Sequence, residues 1–351
     1  MKTYLERINE QTPTRMWVNN PVPSEARKGL EVGVFGATSN PTYLSHMLKN
    51  PETEQAAISA IDSHLEESKD DHLVLALAYQ DMIQQITDIF LPLFKSTGHQ
   101  QGWVAIQGNP YHDDDIDFVV DEAHRFYTIA PNIVVKVSAT LAGIAAMEKL
   151  TSEGHCVLAT AGVSNAYAQR MFEAYERGVK IAGQAPTLFV TSLAAPFEGY
   201  AKKYVASNHI EINPALVEKT GTEMSKKLYR IWKERYSHLD CKLMGGGVRA
   251  PRHFTEMVGG DMHVTCGWSF IDDLNHTNPP IENRIDVCAT EAELEELFEK
   301  IPAFRRAYEE DGMLEADLSK HPAFQMFHNG FVTAWDSVLS VVRERRLLLC
   351  N

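Results

Sequence analysis

The sequence predicts an α/β fold, specifically a (β/α)8 TIM barrel with added helices after the second strand and at the C-terminus. Eight short apolar runs occur along the 351 residues. Most are too apolar to alternate, as expected of parallel strands buried on both faces. Helical patterns lie between them, and eight strand-then-helix units are typical of this barrel. The alternative is an open doubly wound sheet, but the Gly-rich phosphate fingerprint usual after its first strand is missing.

The predicted strands are, in chain order, residues 14–19, 31–37, 102–108, 132–137, 155–160, 186–193, 241–246 and 262–267. Helical periodicity follows most of them, for example LAGIAAMEKL after the fourth strand and SNAYAQRMFEAYERGVKIAG after the fifth. Two regions exceed a bare barrel: a helical insert at about 51–100 and a helical C-terminal extension at about 289–351. Because no linker rich in Ser, Gly or Pro separates them, residues 1–351 are predicted to form one domain.

Charge and composition exclude several classes of function. The formal net charge of −14 disfavours binding to nucleic acid or to an anionic membrane surface. The sequence has no apolar N-terminal signal and no stretch long enough to span a membrane, so we expect a cytoplasmic protein. The five cysteines form no C-x-x-C pair and are expected to be free thiols; they are Cys156, Cys241, Cys266, Cys288 and Cys350.

The active site of such a barrel lies at the C-terminal ends of the strands. The residues predicted there are polar and mostly uncharged: Asn19, Thr38, Asn40, Gln107, Asn109, Lys136, Thr160, Ser192, Gly246 and Arg249. They lack the clustered His, Asp or Glu of a metal centre, so we expect no metal and no other cofactor. The acidic run YHDDDIDF at residues 111–118 is more typical of helix caps than of a cation site.

Lys136 is unusual because it stands inside the apolar run NIVVKV. Burying an ammonium group costs several kcal/mol unless it is paired or loses its proton. A structural interpretation is a lysine that reaches the barrel rim or pairs with a carboxylate. The chemical interpretation is a lysine whose pKa is lowered by burial, so that the neutral amine can form a Schiff base with a carbonyl substrate.

Several motifs resemble the transaldolase family of Schiff-base (β/α)8 enzymes, which includes the fructose-6-phosphate-aldolase branch. The segment GVFGATSNPTYL is similar to the family pattern G-V-T-[ST]-N-P-[ST]. The segment NIVVKVSATLAGIAAMEKL is similar to its lysine strand, N-[IV]-x-[IV]-K-[IV]-P-A-T-x-x-G-x-x-A. The segments RMWVNN and GWVAIQGNP resemble W-L-D-D and G-[YW]-V-S-I-E-V-S-P of one bacterial branch. The resemblance covers about residues 14–268.

The resemblance implies roles for four residues. Lys136 matches the Schiff-base lysine, Asn40 an asparagine that holds substrate hydroxyls, and Thr160 a threonine that helps to place the catalytic water. Arg249 matches an arginine that binds the substrate phosphate, and the glycines before it, including Gly246, could add backbone N–H groups for an anion.

The sequence also departs from the family pattern. The general acid/base aspartate of the family corresponds to Asn19, and its glutamate on the third strand corresponds to Gln107, as in the aldolase branch. An amide hydrogen-bonds but cannot carry the proton. Three further family residues are replaced: the strand-five asparagine by Leu158, the second phosphate arginine by Phe197 or a neighbour, and the serine two before Arg249 by Gly247. The aromatic that helps to hold the water in the aldolase branch is not evident, and Ala194 lies nearest to its position.

The sequence therefore predicts a lysine Schiff-base aldolase or transaldolase-like enzyme that makes or breaks a C–C bond in a carbohydrate-type carbonyl substrate. In this hypothesis Lys136, Gln107, Thr160 and Asn19 act in catalysis. Loss of the second arginine predicts weak use of sugar phosphates. Two alternatives stay open: a transaldolase proper of the pentose phosphate pathway, and a degenerate barrel that binds a metabolite or partner without turnover. The apolar faces of the C-terminal helices are compatible with a homo-oligomer.

Overall fold

The computed structural model describes residues 2–349. Eight parallel strands form a closed barrel in sequence order, and the first strand pairs with the eighth. The strands are β1 Arg15–Asn19, β2 Gly36–Thr38, β3 Trp103–Gln107, β4 Ile133–Val137, β5 Val157–Ala159, β6 Leu188–Ser192, β7 Cys241–Gly245 and β8 His263–Cys266. The predicted (β/α)8 barrel is confirmed.

Sixteen α-helices occur among the described residues. They are α1 Tyr4–Gln11, α2 Pro23–Val32, α3 Tyr43–Met47, α4 Glu54–His64, α5 Asp71–Ser96, α6 Ile116–Tyr127, α7 Leu141–Ser152, α8 Asn165–Ala182, α9 Ala194–Ser207, α10 Pro214–Val217, α11 Thr220–Ile231, α12 Arg252–Thr255, α13 Trp268–Thr277, α14 Glu291–Lys300, α15 Pro302–Tyr308 and α16 Pro322–Leu349. Short 3₁₀ segments at Pro110–His112 and Glu315–Lys320 and a π-helical turn at Trp232–Tyr236 complete the set.

The second strand begins later than the sequence pattern predicts. Residues 31 and 32 end α2, and Gly33 terminates that helix with a left-handed φ of 89°. Glycine adopts this conformation without the steric cost of a side chain. The apolar run at 31–37 therefore crosses a helix end and a turn before β2 starts.

The added helices come from two parts of the chain. Helices α4 and α5 lie between β2 and β3, and α14, α15 and α16 follow the barrel. Helix α16 packs against α3, α4, α5 and α9, so the end of the chain meets the insert. The assignment of residues 1–351 to one domain stays a prediction, and residues 350 and 351 lie outside the described part.

Apolar side chains fill the barrel beneath the strand ends. They form one cluster of Trp17, Phe94, Trp103, Ala105, Val134, Leu158, Phe189 and Met244. Trp17 packs edge-on against Phe189 and donates a hydrogen bond from Nε1 to Nδ1 of His263 at 2.9 Å. Successive residues of a strand alternate in direction, so residues two positions after several of these point the same way, one layer higher. The cluster thus forms a floor under that layer.

Among residues 2–349, every helix falls short of the length and apolar character needed to cross a membrane. Four cysteines are free thiols, Cys156, Cys241, Cys266 and Cys288, whereas Cys350 lies outside the described residues. Burial raises the pKa of the Cys156 thiol to about 11 and the pKa values of Cys241 and Cys266 well above the ordinary value. The three strand-associated thiols are therefore protonated and unreactive at neutral pH.

Candidate active site

A cavity of about 320 Å³ opens at the C-terminal end of the barrel. Seven of the ten predicted site residues line it: Asn19, Asn40, Gln107, Lys136, Thr160, Gly246 and Arg249. Residues from six separate regions of the sequence thus converge on one cavity. The remaining lining residues are Asn20, Thr42, Thr191, Leu193, Met244, Gly247, Val248, Thr265, Gly267, Ser269, Phe270, Phe327 and Phe331.

Lys136 lies at the base of this cavity on β4. Its residue is 9% exposed, and Nζ donates a hydrogen bond to the backbone carbonyl of Ser39 at 2.8 Å. It forms no ion pair with a carboxylate among residues 2–349, so desolvation lowers its pKa to about 7. The amine is therefore substantially neutral at physiological pH, as a nucleophilic lysine requires.

The acceptor for Lys136 is itself held rigidly. The Ser39 hydroxyl donates to the carbonyl oxygen of Ala105 at 2.8 Å and lies 2.6 Å from the Tyr79 hydroxyl. Since Ser39 has one hydroxyl hydrogen, Tyr79 is the donor in the second contact. Burial raises the pKa of Tyr79 far above its ordinary value, so this phenol stays neutral and adds no charge near Lys136.

Asn19 is oriented from the neighbouring strand. Its Oδ1 accepts a hydrogen bond from the Thr38 hydroxyl at 2.9 Å, and that hydroxyl lies 2.7 Å from the Thr265 hydroxyl. Because Thr38 uses its hydrogen for Asn19, Thr265 donates to Thr38. Thr38 is fully buried and lies outside the lining of the cavity, so it acts behind Asn19.

Asn40 stabilises its own turn after β2. Its Oδ1 accepts hydrogen bonds from the backbone N–H and the hydroxyl of Thr42 at 3.0 and 2.7 Å. Asn20, which has a left-handed φ of 47°, donates from Nδ2 to the Thr42 hydroxyl at 3.0 Å. The Asn20 side-chain oxygen is buried without a hydrogen-bond partner among residues 2–349, which leaves an acceptor for a ligand.

Two further polar groups in the cavity have buried oxygens without partners in the described part of the chain. These are Gln107 Oε1 and Thr191 Oγ1. Thr160 is fixed through its backbone, because its N–H donates to Val137 and its carbonyl accepts from the Tyr167 hydroxyl at 3.0 Å. Buried polar atoms without partners are rare in proteins and call for water or a ligand.

The loop after β7 carries Arg249 at the cavity rim, where its side chain is exposed. The backbone N–H groups of Arg249 and Ala250 both donate to Nδ1 of His253, and the N–H of Gly246 donates to the carbonyl of Ser192. Nε2 of His253 lies 2.8 Å from the Glu198 carboxylate. These three backbone donors are consequently engaged within the protein, which weakens the expected anion cradle.

Three predicted site residues lie away from this cavity. Thr38 supports Asn19 as described. Ser192 lies 2.8 Å from the hydroxyl of Ser225 on α11, on the outer side of the barrel. Asn109 begins the 3₁₀ turn at Pro110–His112 and lines a separate cavity beside Glu122.

One side of the cavity is an apolar wall that the sequence did not predict. It consists of Phe270 on α13 and of Phe327 and Phe331 on α16. The rings of Phe327 and Phe331 pack edge to face, with centroids 4.6 Å apart and an interplanar angle of 63°. Their four-residue spacing marks one helix face, but no local signal ties that face to the barrel mouth.

A second group of ligand-type side chains lies elsewhere. His124, Glu153 and His155 bring their donor atoms within 4.8 Å of one another near the start of β5. His124 is already hydrogen-bonded to Glu153 at 2.7 Å, Lys149 pairs with the same carboxylate at 2.9 Å, and His155 stacks on Tyr127. These contacts account for the cluster without an ion.

The fold and the position of Lys136 define a class of protein: a (β/α)8 barrel in which a partly neutral lysine amine faces a polar cavity. Comparison with known families names the group more closely. The family described as Transaldolase/Fructose-6-phosphate aldolase matches residues 24–337, and the chain belongs to this family.

Curated relatives support the same family. A transaldolase of Thiobacillus denitrificans is 33% identical over 172 residues, which cover 47% of each chain. A transaldolase of Neisseria gonorrhoeae is 26% identical over 234 residues, or 64% of each chain. A transaldolase of Campylobacter jejuni is 31% identical over 163 residues, covering 46% of this chain and 48% of the relative. The chain thus spans about half to somewhat under two thirds of the length of these relatives.

Proposed function

We propose that this protein is a lysine-dependent aldolase or transaldolase-like enzyme that makes or breaks a C–C bond in a carbohydrate-type carbonyl substrate. The observation that carries the proposal is Lys136. It is a buried amine without a carboxylate partner in the described chain, its pKa is lowered to about 7, and it faces a cavity lined by amides and hydroxyls. Membership of the transaldolase family makes Schiff-base chemistry the natural use of such a lysine.

The proposed reaction begins when the neutral Lys136 amine attacks the carbonyl carbon. The resulting carbinolamine loses water and becomes a protonated imine. In the cleavage direction, the β-hydroxyl loses its proton and the bond between the α and β carbons, counted from the imine carbon, breaks. The β carbon leaves as an aldehyde, and the electron pair of the broken bond moves toward the imine and forms an enamine. Protonation of the enamine and hydrolysis return the amine, and the synthetic direction runs in reverse.

The other cavity residues receive roles that match their hydrogen-bonding capacity. Asn19 and Asn40 would hold substrate hydroxyls, and Gln107 and Thr160 would position the water lost or gained at the imine carbon. Amides can orient these groups without adding charge beside the amine. None of these four side chains has a carboxylate that could act as the general base.

The cavity has few cationic groups that could bind a substrate phosphate, which favours substrates without one. Only Lys136 and Arg249 are cationic among the lining residues, and Arg249 is exposed at the rim. Phe197, which with its neighbours is a candidate for the position of the family's second arginine, is fully buried and packs on Phe304. Sugar phosphates would therefore be weak substrates, and the far end of the substrate would meet an apolar wall instead.

Borohydride trapping tests the proposal. The protein is incubated with a panel of ketoses and aldehydes, reduced, digested and mapped by mass spectrometry. We expect a reduced adduct on Lys136 with at least one small hydroxyketone, and none in the Lys136→Met variant. Absence of any adduct on Lys136 across the panel and across pH 6–9 would eliminate the imine mechanism.

A second candidate is transaldolase activity proper, which the names of the relatives favour. It requires transfer of a dihydroxyacetone unit from fructose 6-phosphate to erythrose 4-phosphate. With Asn19 in place of the family aspartate, we expect little turnover in this assay. Robust transfer would favour the second candidate over an aldolase that acts on unphosphorylated substrates.

A further inference from the structure

We infer that Ser138 and Asp113 are positioning residues that fix the amide of Gln107, so that its carbonyl oxygen points into the cavity as a hydrogen-bond acceptor for the water of imine chemistry. The inference rests on the proposed function. It concerns residues that neither the strand-end pattern nor the motif resemblance singled out as part of the site.

A hydrogen-bond chain links the three side chains. Ser138 follows β4 and is 4% exposed. Its Oγ lies 2.7 Å from Oδ2 of Asp113 and 3.3 Å from Nε2 of Gln107. Gln107 ends β3 directly opposite Lys136 in the ladder between β3 and β4, so the chain approaches the lysine from one side.

The direction of the chain follows from donor and acceptor counts. An ionised carboxylate only accepts hydrogen bonds, and a serine hydroxyl has a single hydrogen. The Ser138 hydroxyl therefore donates to the Asp113 carboxylate and can only accept a hydrogen bond from Gln107. The Gln107 side chain must turn its NH2 group toward Ser138, and its carbonyl oxygen must face the other way. The hydrogen bonds thus determine the orientation of the Gln107 amide.

The carbonyl end of Gln107 has no donor within residues 2–349. Its Oε1 is buried and unpartnered, and the residue lines the cavity with Lys136. A buried acceptor needs a donor. Water, the hydroxyl of a carbinolamine, and the N–H of the lysine or its imine are the donors that the proposed reaction supplies there. Because hydrogen bonds in a chain polarise one another, the anionic Asp113 end strengthens Gln107 as an acceptor.

The far end of the chain is anchored from two sides. The Thr140 hydroxyl donates to the backbone carbonyl of Asp113 at 2.6 Å. Nε2 of His328, on α16, lies 3.3 Å from Asp113 Oδ2 and 3.0 Å from the carbonyl oxygen of Pro110. The family pattern has proline where this chain has Ser138, and proline offers no side-chain hydrogen bond. This way of holding the amide thus departs from the family pattern.

Oxygen exchange gives a direct test, because imine formation and hydrolysis pass water through the carbonyl carbon. Dihydroxyacetone, or another member of the carbonyl panel that is trapped, is followed in H2¹⁸O by mass spectrometry, and the rate without enzyme is subtracted. We expect Ser138→Ala to lower the enzymatic exchange rate roughly 10- to 100-fold through misplaced groups. Ser138→Thr, which keeps the hydroxyl, should stay within about threefold of the native rate.

A double-variant comparison separates positioning from a purely structural role. In Gln107→Glu, either carboxylate oxygen is an acceptor, so the side chain needs no orientation. The loss caused by Ser138→Ala should therefore shrink to less than about threefold in the Gln107→Glu background. Ser45→Ala, a buried serine on α3 outside the cavity, controls for loss of a buried hydroxyl and should leave exchange unchanged.

The outcomes distinguish this inference from the proposed function. If the native protein yields no borohydride adduct on Lys136 with any member of the carbonyl panel, the proposed function fails; oxygen exchange is measured with a member that is trapped. If the native protein is trapped but Ser138→Ala exchanges oxygen at the native rate, the positioning role is wrong. An equal loss in both backgrounds would also overturn it, since it would indicate a structural effect alone. Thermal melting and the saturating amount of adduct verify that each variant is folded and binds.

Discussion

Two lysines are buried among residues 2–349, and their surroundings differ. Lys136, on β4, has a backbone carbonyl as its one hydrogen-bond acceptor among the described residues. Lys226, on α11, is 1% exposed and lies 2.5 Å from a carboxylate oxygen of Glu256 and 2.5 Å from the carbonyl oxygen of Val287. A second carboxylate, that of Glu223, is 3.8 Å away.

The difference teaches that pairing, more than burial, separates a reactive lysine from a structural one. At Lys226, the carboxylates replace the solvation that the ammonium loses. At Lys136 no negatively charged group of residues 2–349 does so, and burial lowers the pKa to about 7. Lys136 thus keeps a destabilising arrangement that chemistry can use, and the same substitution should act in opposite ways at the two positions.

The largest expected effect is on activity. Lys136→Met should remove imine formation and lower turnover by roughly 10⁴-fold or more, as loss of a covalent nucleophile does in other enzymes. Lys226→Met should leave a borohydride adduct on Lys136. Borohydride trapping and peptide mapping of both variants test this. A reduced adduct on another residue of Lys136→Met would show that Lys136 is not the reactive lysine.

Stability should respond most strongly at Lys226. Lys226→Met leaves Glu256 with Arg284 as its remaining cationic partner, at 3.0 Å, and removes the donor to Val287. We expect a loss of about 3 kcal/mol in the free energy of unfolding, because breaking a buried ion pair leaves a charge poorly compensated. Urea unfolding followed by circular dichroism measures it. A loss below about 1 kcal/mol would mean that this ion pair contributes no more to stability than an exposed surface pair does.

The sequence predicts only one side of the contrast between the two lysines, that of Lys136. The motif around Lys136 and the apolar run that holds it identified a buried lysine, and the eight apolar runs identified the barrel. Period-two alternation also explains one displaced prediction. Ser192 follows Thr191 directly on β6, so when Thr191 points inward Ser192 points outward. The strand boundary, rather than the residue type, decides which side chain enters the cavity.

Other features depend on contacts between distant parts of the chain. Phe327 and Phe331 reach the cavity because α16 packs back over the barrel after α14 and α15, and helical periodicity alone does not say what a face will cover. The absence of a carboxylate partner for Lys136 among residues 2–349 is likewise a property of the assembled site. The role inferred for Asp113 emerges only once its distance to Ser138 is known, since the acidic run around it reads as helix caps.

The pH dependence of stability sharpens the comparison further. The folded-state pKa of Lys136, about 7, lies below its ordinary value of 10.5. Between these values the unfolded chain binds more protons, so stability of the native protein rises with pH across this window. Lys136→Met should therefore be more stable than the native protein at and below pH 7. That advantage should shrink steadily as pH rises toward 10.5.

The size of this advantage is limited by one lost contact. The shift corresponds to roughly 5 kcal/mol at 1.4 kcal/mol per unit, but methionine leaves the Ser39 carbonyl without its donor, which offsets part of it. We expect a net gain of about 2 kcal/mol at pH 6–7. Urea midpoints of both proteins at pH 6.5 and pH 9 measure the difference. An advantage that is constant with pH would mean that Lys136 stays charged when folded.

The smallest expected effect comes from making Lys136 more like Lys226. Asn19→Asp adds a carboxylate to the cavity while keeping an acceptor for the Thr38 hydroxyl. A nearby negative charge favours the ammonium form, so the pKa of Lys136 should rise by about 1 unit or less. The rate of imine formation with dihydroxyacetone, which should increase about tenfold per pH unit below pH 7 in the native protein, would then reach its plateau at higher pH. Borohydride trapping at a series of times between pH 5.5 and 9 measures the midpoints of the native protein and the variant. Asn20→Asp, in the lining of the same cavity, is the matched control for added charge.

If Asn19→Asp instead gains transaldolase turnover, the aspartate has restored a proton-transfer group to an otherwise intact site. If neither the midpoint nor the turnover changes, Asn19 lies too far from the amine to influence it, and its role is confined to holding substrate hydroxyls.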